Sequence, residues 1–326
     1  MVFRSIVNLF RRKKGKREIK KETDFKRVEK EEKLIKKPIE EEIKEVKEEI
    51  KTKINEKIKT KVKKKIARVI ALTNQKGGVG KSTTAINMSA CLAEMGENIV
   101  LIDVDPQANT TSGLGVNKYK VDKSIYDAII GKANIKELVL NTSVEGLSLI
   151  PSNINLAGAE IELVNMMMRE HRLRKVIEPI RNNYDFIIID CPPALGILTI
   201  NALVAADEVI VPIQCEYYAL EGLGQLIKTI ELVKNNLNKN LEISGFVMTM
   251  YDSRTKLASQ VVEEVKRYFG EKVYKTIIPR NVRVSEAPSY GLPVIFYDPN
   301  CKGSLAYKNF TKEVINHGKK RIGEGT

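Results

Sequence analysis

From residue 67 onward, short apolar runs alternate with longer stretches of helical character, and this alternation restricts the possible folds more than any other feature. The runs are RVIALTN (68–74), NIVLID (98–103), LSLIP (147–151), FIIIDCPP (186–193), EVIVPI (208–213) and ISGFVMTM (243–250). A strand with one wet face alternates apolar and polar residues, whereas a run apolar throughout has to be covered on both faces. Helical stretches at 81–96, 157–182 and 217–237 lie between the runs, and another at 258–269 follows the last. Strand and helix in regular succession give a parallel sheet with helices on both sides. We therefore expect one doubly wound α/β domain, its sheet mostly parallel, over residues 67–326.

The composition changes abruptly at Ala67. Of the net charge of +14, from 55 Lys and Arg against 41 Asp and Glu, residues 1–66 carry +12 and the other 260 residues carry +2. Residues 11–66 are rich in Lys, Glu and Ile, with one Pro and a single aromatic, Phe25, which is too little apolar surface for independent folding. Ile39, Ile43, Val46, Ile50, Ile54, Ile58, Val62 and Ile66 nevertheless recur at helical spacing, Pro38 suits a first turn, and the acidic run from Glu40 to Glu49 precedes lysines as the helix dipole favours. A charged amphipathic helix and a solvated polyampholyte linker both fit this extension.

No apolar run approaches the roughly 18 to 20 residues that span a bilayer. The first residues, MVFRSIVNLF followed by RRKKGKR, place the basic block after the apolar stretch, the reverse of a secretory signal, so a cytoplasmic protein is expected. Cys91, Cys191, Cys215 and Cys301 lack CxxC spacing, and buried reduced thiols are expected rather than disulfides or zinc.

After the first apolar run comes Gln75-Lys76-Gly77-Gly78-Val79-Gly80-Lys81-Ser82-Thr83-Thr84, which leads into a helical stretch. Strand, glycine loop and helix in this order suit phosphate binding. Glycines let the backbone N–H groups from Gly77 through Thr83 turn toward phosphate oxygens, and the helix N-terminus adds partial positive charge. Lys81 then reaches the β and γ oxygens, and the Ser82 hydroxyl ligates Mg2+. A dinucleotide fingerprint fails, because its last glycine would fall on Thr83. An ordinary GxxxxGK[ST] loop fails at its first glycine, which falls on Gln75, and a second lysine, Lys76, enters the loop.

The second run closes with Asp103-Val104-Asp105-Pro106, two carboxylates expected on one face at a strand's carboxyl end, where open α/β sheets bind ligands. Helix-capping aspartates would look the same in isolation. FIIID closes on Asp190, the arrangement of a Walker B strand, whose carboxylate would hold Mg2+ through water. No guanine-reading motif is convincing, since Asn117-Lys118-Tyr119-Lys120 lacks the aspartate, and ATP is favoured over GTP. With His171 and His317 the only histidines, nucleophilic histidine chemistry has little support. Phosphoryl transfer needs mainly positioning and charge, and without a strong general base a slow, switch-like turnover is expected.

KGGVGKST resembles the deviant Walker A box of the ParA/MinD group. LAGAEIELV (156–164), FIIIDCPPALGILTINAL (186–203), VPIQCEYYALEGLGQL (211–226), MTMYDSRTKL (248–257) and IIPRNVRVSEAPSYGLPVIFYDP (277–299) are similar to blocks of the chromosomal ParA/Soj partition ATPases, so that the resemblance covers nearly all of 68–315. It implies an ATP-dependent homodimer in which Lys76 reaches across to the partner's nucleotide. It also implies that Asp105 positions and activates the attacking water, that Asp103 belongs to the Mg2+ shell, and that Pro279 and Asn281 border the adenine. The family binds nonspecific DNA through arginines that match Arg254 and Arg283, and a ParB-like partner accelerates hydrolysis. An arginine aimed at phosphates gains affinity by counterion release whatever the base sequence. For Lys76, Arg254 and Arg283 the plain alternative is a solvated surface charge.

The same resemblance leaves a competing function, a MinD-like membrane-associated positioning ATPase that would use the amphipathic basic N-terminal segment. Against the usual MinD route, the C-terminal residues Asn316 to Thr326 read as glycine-broken and polar rather than as a membrane helix. A nitrogenase-like reductase would need cysteines placed to bridge a cluster between subunits, and the four scattered ones give no such case. The expected location is cytoplasmic and nucleoid-associated, with peripheral membrane contact through the extension left open.

The extension, for which the family offers no counterpart, generates its own test. Val2, Phe3, Ile6, Val7 and Phe10 share one side of a helix, and residues 11–17 add six positive charges, which together suit a membrane-surface anchor. Ten helical residues reach about 15 Å, enough to lie on a bilayer but not to cross it. A basic arm that raises affinity for DNA is the favoured alternative, with residues 38–66 as a spacer in both cases. Liposome sedimentation distinguishes them. Deleting residues 1–17 should reduce binding to anionic liposomes, and the pair Phe3→Ser and Phe10→Ser should leave it unchanged if the segment acts by charge alone.

Overall fold

The apolar runs become strands of one seven-stranded sheet in the computed structural model, which describes residues 66–323. The expectations for the extension fall on residues 1–65, outside the described residues. The strands are β1 (Arg68–Leu72), β2 (Ile99–Asp103), β3 (Leu140–Asn141), β4 (Leu147–Ile150), β5 (Phe186–Asp190), β6 (Glu208–Gln214) and β7 (Glu242–Thr249). They are ordered β3-β4-β2-β5-β1-β6-β7, and every pairing is parallel except that of β3 with β4. Strand β3 was not expected from the sequence. Two residues carry no period to read.

Between the strands lie α1 (Lys81–Glu94), α2 (Asn109–Gly113), α3 (Ile125–Ile130), α4 (Leu156–Glu162), α5 (Arg172–Ile177), α6 (Ile197–Ala205) and α7 (Leu223–Asn236), and after β7 come α8 (Lys256–Phe269), α9 (Val282–Glu286), α10 (Val294–Tyr297) and α11 (Lys302–Gly323). The strand residues divide by parity between two cores. Val69, Ala71, Val100, Ile102, Ile187 and Ile189 pack with α6, α7 and α8 on one face of the sheet. Ile70, Leu72, Ile99, Leu101, Phe186 and Ile188 pack with α1 and α11 on the other. This is the double covering that the apolar runs demand. Helix α1 is buried from Thr84 through Ala93, which is why its sequence shows no polar face.

Two helical stretches are shorter than the sequence suggested. The stretch 157–182 breaks after α4 because Met166 is extended (φ −89°, ψ 136°) and Met168 takes a left-handed φ of 53°. The stretch 217–237 begins as a 3-10 turn, Tyr217–Leu220, and Gly222 at φ 75° separates it from α7. The C-terminus departs in the opposite sense, since α11 continues through Gly318 to Gly323 where a glycine break was expected. One interior glycine costs a helix only about 1 kcal/mol. Tertiary packing outweighs that here, because Tyr307, Phe310 and Val314 of α11 are fully buried on the sheet.

Cys91, Cys191 and Cys215 are buried free thiols, and Cys301 is half-buried. Burial pushes the Cys91 and Cys215 thiols up to about 12.

Strand β7 carries an irregularity opposite Val209 and Ile210, and Gly245 sits within it. A Cβ at that position would lie 2.7 Å from the Lys272 carbonyl oxygen and 2.7 Å from the Tyr274 ring. Gly245→Ala should therefore destabilise the domain by about 1–3 kcal/mol through overpacking, read as a lowered urea midpoint at unchanged m-value.

Candidate functional site

Strand order brings together residues far apart in the chain. Because β5 lies between β1 and β2, Asp190 stands beside Leu72 on one side and beside Asp103 on the other, in register. The segments that leave β1, β2 and β5 therefore emerge at one carboxyl edge, where ligands of open α/β sheets bind.

The glycine loop is fixed from both ends. Asn74 donates its side-chain amide to the Pro212 carbonyl (2.7 Å) and accepts from the Lys76 N–H (3.0 Å), which ties the start of the loop to β6. Thr249, at the end of β7, donates to the Val79 carbonyl (2.8 Å). Gly78 and Gly80 take left-handed φ values of 75° and 87°, which side-chain-bearing residues rarely adopt. The loop curls around Lys81, which is 6% exposed and donates from Nζ to the Lys76 carbonyl (3.2 Å). Burial lowers the proton affinity of Lys81 against the opposing pull of Asp190 and Asp105. Lys76, a third exposed, holds its ammonium 3.8 Å from the Glu216 carboxylate.

The carboxylates are arranged differently from the sequence reading. Strand β2 ends at Asp103, and Asp105 stands in the turn beyond it, buried, with Oδ1 accepting the Gln107 N–H (2.9 Å). Asp103 does not share a strand face with Asp105. Its oxygens accept from the Asp105 N–H (3.1 Å), the Thr111 N–H (2.8 Å) and the Thr111 hydroxyl (2.7 Å), so it organises the segment 105–111. Asp190 accepts the Thr110 hydroxyl on Oδ2 (2.7 Å), while Oδ1 is fully buried and has no hydrogen-bond partner among the described residues. Burial pushes the Asp190 carboxyl up from the usual carboxylate range, against the pull of the Thr110 hydroxyl and the Lys81 ammonium. Burial and the neighbouring Asp190 push the Asp103 carboxyl up from the usual carboxylate range.

Both Asp103 oxygens are taken up by these hydrogen bonds, whereas the dry Asp190 carboxyl keeps an orphaned oxygen that a cation would satisfy. Among the described residues no three His, Cys, Asp or Glu side chains converge on a ready-made metal cage. Magnesium at a phosphate loop does not need one, because a carboxylate, a hydroxyl, waters and phosphate oxygens suffice. Ser82 and Asp190 are the residues that could hold it, and the backbone of 77–83 with Lys81 could hold phosphates.

The other expected residues lie farther along the same edge. Tyr251 follows β7 and pairs with Pro279. Asn281 caps α9 by accepting the Arg283 N–H (2.9 Å). Arg254 and Arg283 are both exposed and both paired with carboxylates, Arg254 with Asp252 and Arg283 with Glu286 and Asp298.

The sequence reading missed Asn74, Thr110, Thr111 and Thr249. Thr110 and Thr111 directly follow the aspartate box, which was the available signal, whereas Thr249 meets the loop only through folding. Thr111→Val keeps the shape but strips one buried donor from Asp103. A loss of about 1–3 kcal/mol is expected in urea unfolding, and Thr111→Ser should recover most of it.

A family model described as an AAA domain matches residues 67–243. The sporulation initiation inhibitor protein Soj of Bacillus subtilis is 56% identical over 251 residues, which is 77% of this chain and 99% of that protein. The chromosome partitioning protein ParA of Caulobacter vibrioides is 51% identical over 256 residues, 78% of this chain and 96% of its own length. Among solved structures, cobyrinic acid a,c-diamide synthase from Mycobacterium smegmatis with bound ADP and magnesium aligns with a TM-score of 0.70 at 37% identity, covering 78% of this chain and 96% of that one. The cell division ATPase MinD of Pyrococcus furiosus aligns with a TM-score of 0.63 at 25% identity, covering 77% and 99%. With half or more of its residues shared with curated members over more than three quarters of its length, the chain belongs to the ParA/Soj family of chromosome-partitioning ATPases.

Proposed function

We propose that the chain is a Mg2+-dependent ATPase that partitions DNA, acting as an ATP-bound homodimer on nonspecific DNA and released when a ParB-like partner stimulates hydrolysis. The observation that carries the nucleotide part is the unpartnered Asp190 oxygen at the strand end beside the glycine loop that encloses Lys81. Bound Mg2+ would neutralise charge on the phosphates and lower the cost of transferring the terminal one.

The residues of the chain divide the remaining work. The N–H groups from Gly77 through Thr83 and the Lys81 ammonium bind phosphate oxygens. Ser82 and Asp190 would hold the metal, which would supply charge neutralisation at the phosphates. Asp103 is a positioning residue in this reading. It fixes the turn that carries Asp105, and Asp105 orients the attacking water and accepts its proton. Lys76, whose carbonyl already supports Lys81, turns its ammonium outward to the nucleotide of a second copy. Pro279 and Asn281 border the adenine. Arg254 and Arg283 meet DNA phosphates, and dimerisation doubles their number. A cytoplasmic, nucleoid-associated location follows from that DNA contact.

A second reading, membrane positioning of the MinD kind, gains from one observation: α11 does not break at Gly318, which removes the glycine break as a ground against a C-terminal membrane helix and leaves the polar residues of 316–326 as the remaining one. Sedimentation with DNA and separately with liposomes, each with ATP, ADP or no nucleotide, distinguishes the two. ATP-dependent pelleting with DNA, without ATP-dependent pelleting with anionic liposomes, is the expected result.

Substitutions test the division of roles. Lys81→Ala should abolish nucleotide binding. Asp105→Ala should retain ATP binding and dimerisation while hydrolysis falls at least about 100-fold, and normal turnover by this variant would remove Asp105 from the mechanism. Lys76→Ala should remain monomeric with ATP in analytical ultracentrifugation. Arg254→Glu and Arg283→Glu should each lose ATP-dependent DNA binding at unchanged nucleotide affinity.

A further inference from the structure

Both arginines assigned to DNA are gripped by carboxylates of their own chain. Asp252 lies two residues before Arg254 and accepts from its guanidinium at two points, Nε to Oδ1 (2.9 Å) and a terminal nitrogen to Oδ2 (2.6 Å). Oδ1 also accepts the Arg254 backbone N–H (3.0 Å), so the carboxylate is anchored to the turn itself. The Asp252 side chain is 21% exposed and that of Arg254 is 86% exposed, so the acid lies recessed beneath an arginine that faces solvent. Arg283 is bracketed in a similar way, 3.0 Å from Glu286 and 3.4 Å from Asp298, and Glu286 is held in addition by the Tyr297 hydroxyl (3.3 Å).

Exposed ion pairs contribute little to folding stability, so stability alone gives no reason for two such pairs at these positions. Their chemical effect is on the fork of donors. A guanidinium that already makes a bidentate contact with a carboxylate has to release it, or share it, before it can grip a phosphate in the same geometry. The displaced carboxylate then faces the phosphate across a short distance and repels it.

We propose that Asp252 and Glu286 are built-in competitors of the DNA backbone, which lower the affinity of each arginine so that one copy of the chain holds DNA weakly and the doubled set of a dimer holds it well. This rests on the DNA reading given above. The hydrogen bonds from Arg254 hold the Asp252 carboxyl well below the usual carboxylate range, so the competitor stays charged throughout the neutral range. Weak individual contacts multiplied by dimerisation give a steep dependence on the nucleotide state.

The test is fluorescence anisotropy of a nonspecific DNA duplex with the full chain over a salt series, taking the ATP-dependent part as the difference between ATP and ADP. Asp252→Asn keeps the oxygen that accepts the Arg254 N–H and removes only the charge. It should tighten ATP-dependent binding by about 3- to 10-fold and steepen the slope of log affinity against log salt by about 1. ATP affinity and melting temperature should stay at the wild-type values. Glu286→Gln, which retains an acceptor for Tyr297, should shift binding in the same direction. A merely structural pair would not steepen the salt dependence. Wild-type affinity and slope in both neutral variants, alongside loss of binding by Arg254→Glu, overturns the competitor proposal and leaves the DNA reading intact. Wild-type binding by Arg254→Glu and Arg283→Glu overturns the DNA reading and the competitors with it.

Discussion

At the carboxyl edge of the sheet Lys81, Asp103 and Asp190 are each less than a tenth exposed, so charges that water would ordinarily stabilise must be stabilised by one another. Burial works on the three in opposite senses, lowering the proton affinity of the lysine and raising that of the acids. The surrounding structure answers with backbone amides, two threonine hydroxyls and the carbonyl of Lys76. Of the oxygens of the two acids, Asp190 Oδ1 is left over. A site balanced in this way is held together by its fold.

The segment 105–111 ties the two acids together. It holds Asp105, it takes a left-handed residue at Ala108, and its adjacent threonines bond to the two different aspartates, Thr110 to Asp190 and Thr111 to Asp103. A change in what Asp190 binds therefore bears on the segment that positions Asp105. Left-handed, non-glycine residues of this kind cost about 1–3 kcal/mol and concentrate at switch regions.

Helix α11 extends the same linkage to the opposite side of the loop. Tyr307 lies against Thr84 at the start of α1, Lys308 pairs with Glu94 near its end, and Glu313 accepts from the backbone of Lys275 and Thr276, just before Pro279. The phosphate-loop helix and the segment bearing Asn281 and Arg283 thus share one brace. The exposed arginines are restrained by their acidic neighbours rather than by burial, which leaves them free to exchange partners.

Much of this was legible in the chain itself, because it depends on local order. Apolar runs without polar alternation fix strands buried on both faces, and a glycine loop between a strand and a helix fixes a phosphate site, since both properties are set by neighbouring residues. Long-range pairing is a different matter. Nothing in FIIID or VLID indicates that Asp190 and Asp103 stand side by side. That follows from β5 inserting between β1 and β2, a choice made by the packing of helices on both faces of the sheet. The same holds for Thr249 reaching the loop across 170 residues, for the Gly318 turn of α11 kept helical by the buried turns before it, and for Asp105 leaving the strand to stand in a turn. The sequence alone determined where the glycine loop and the strand-end carboxylates lie along the chain, because residue type and near neighbours carry that information. Tertiary structure alone decided which of their atoms are left without a partner, because desolvation and strand order act only once the chain is packed.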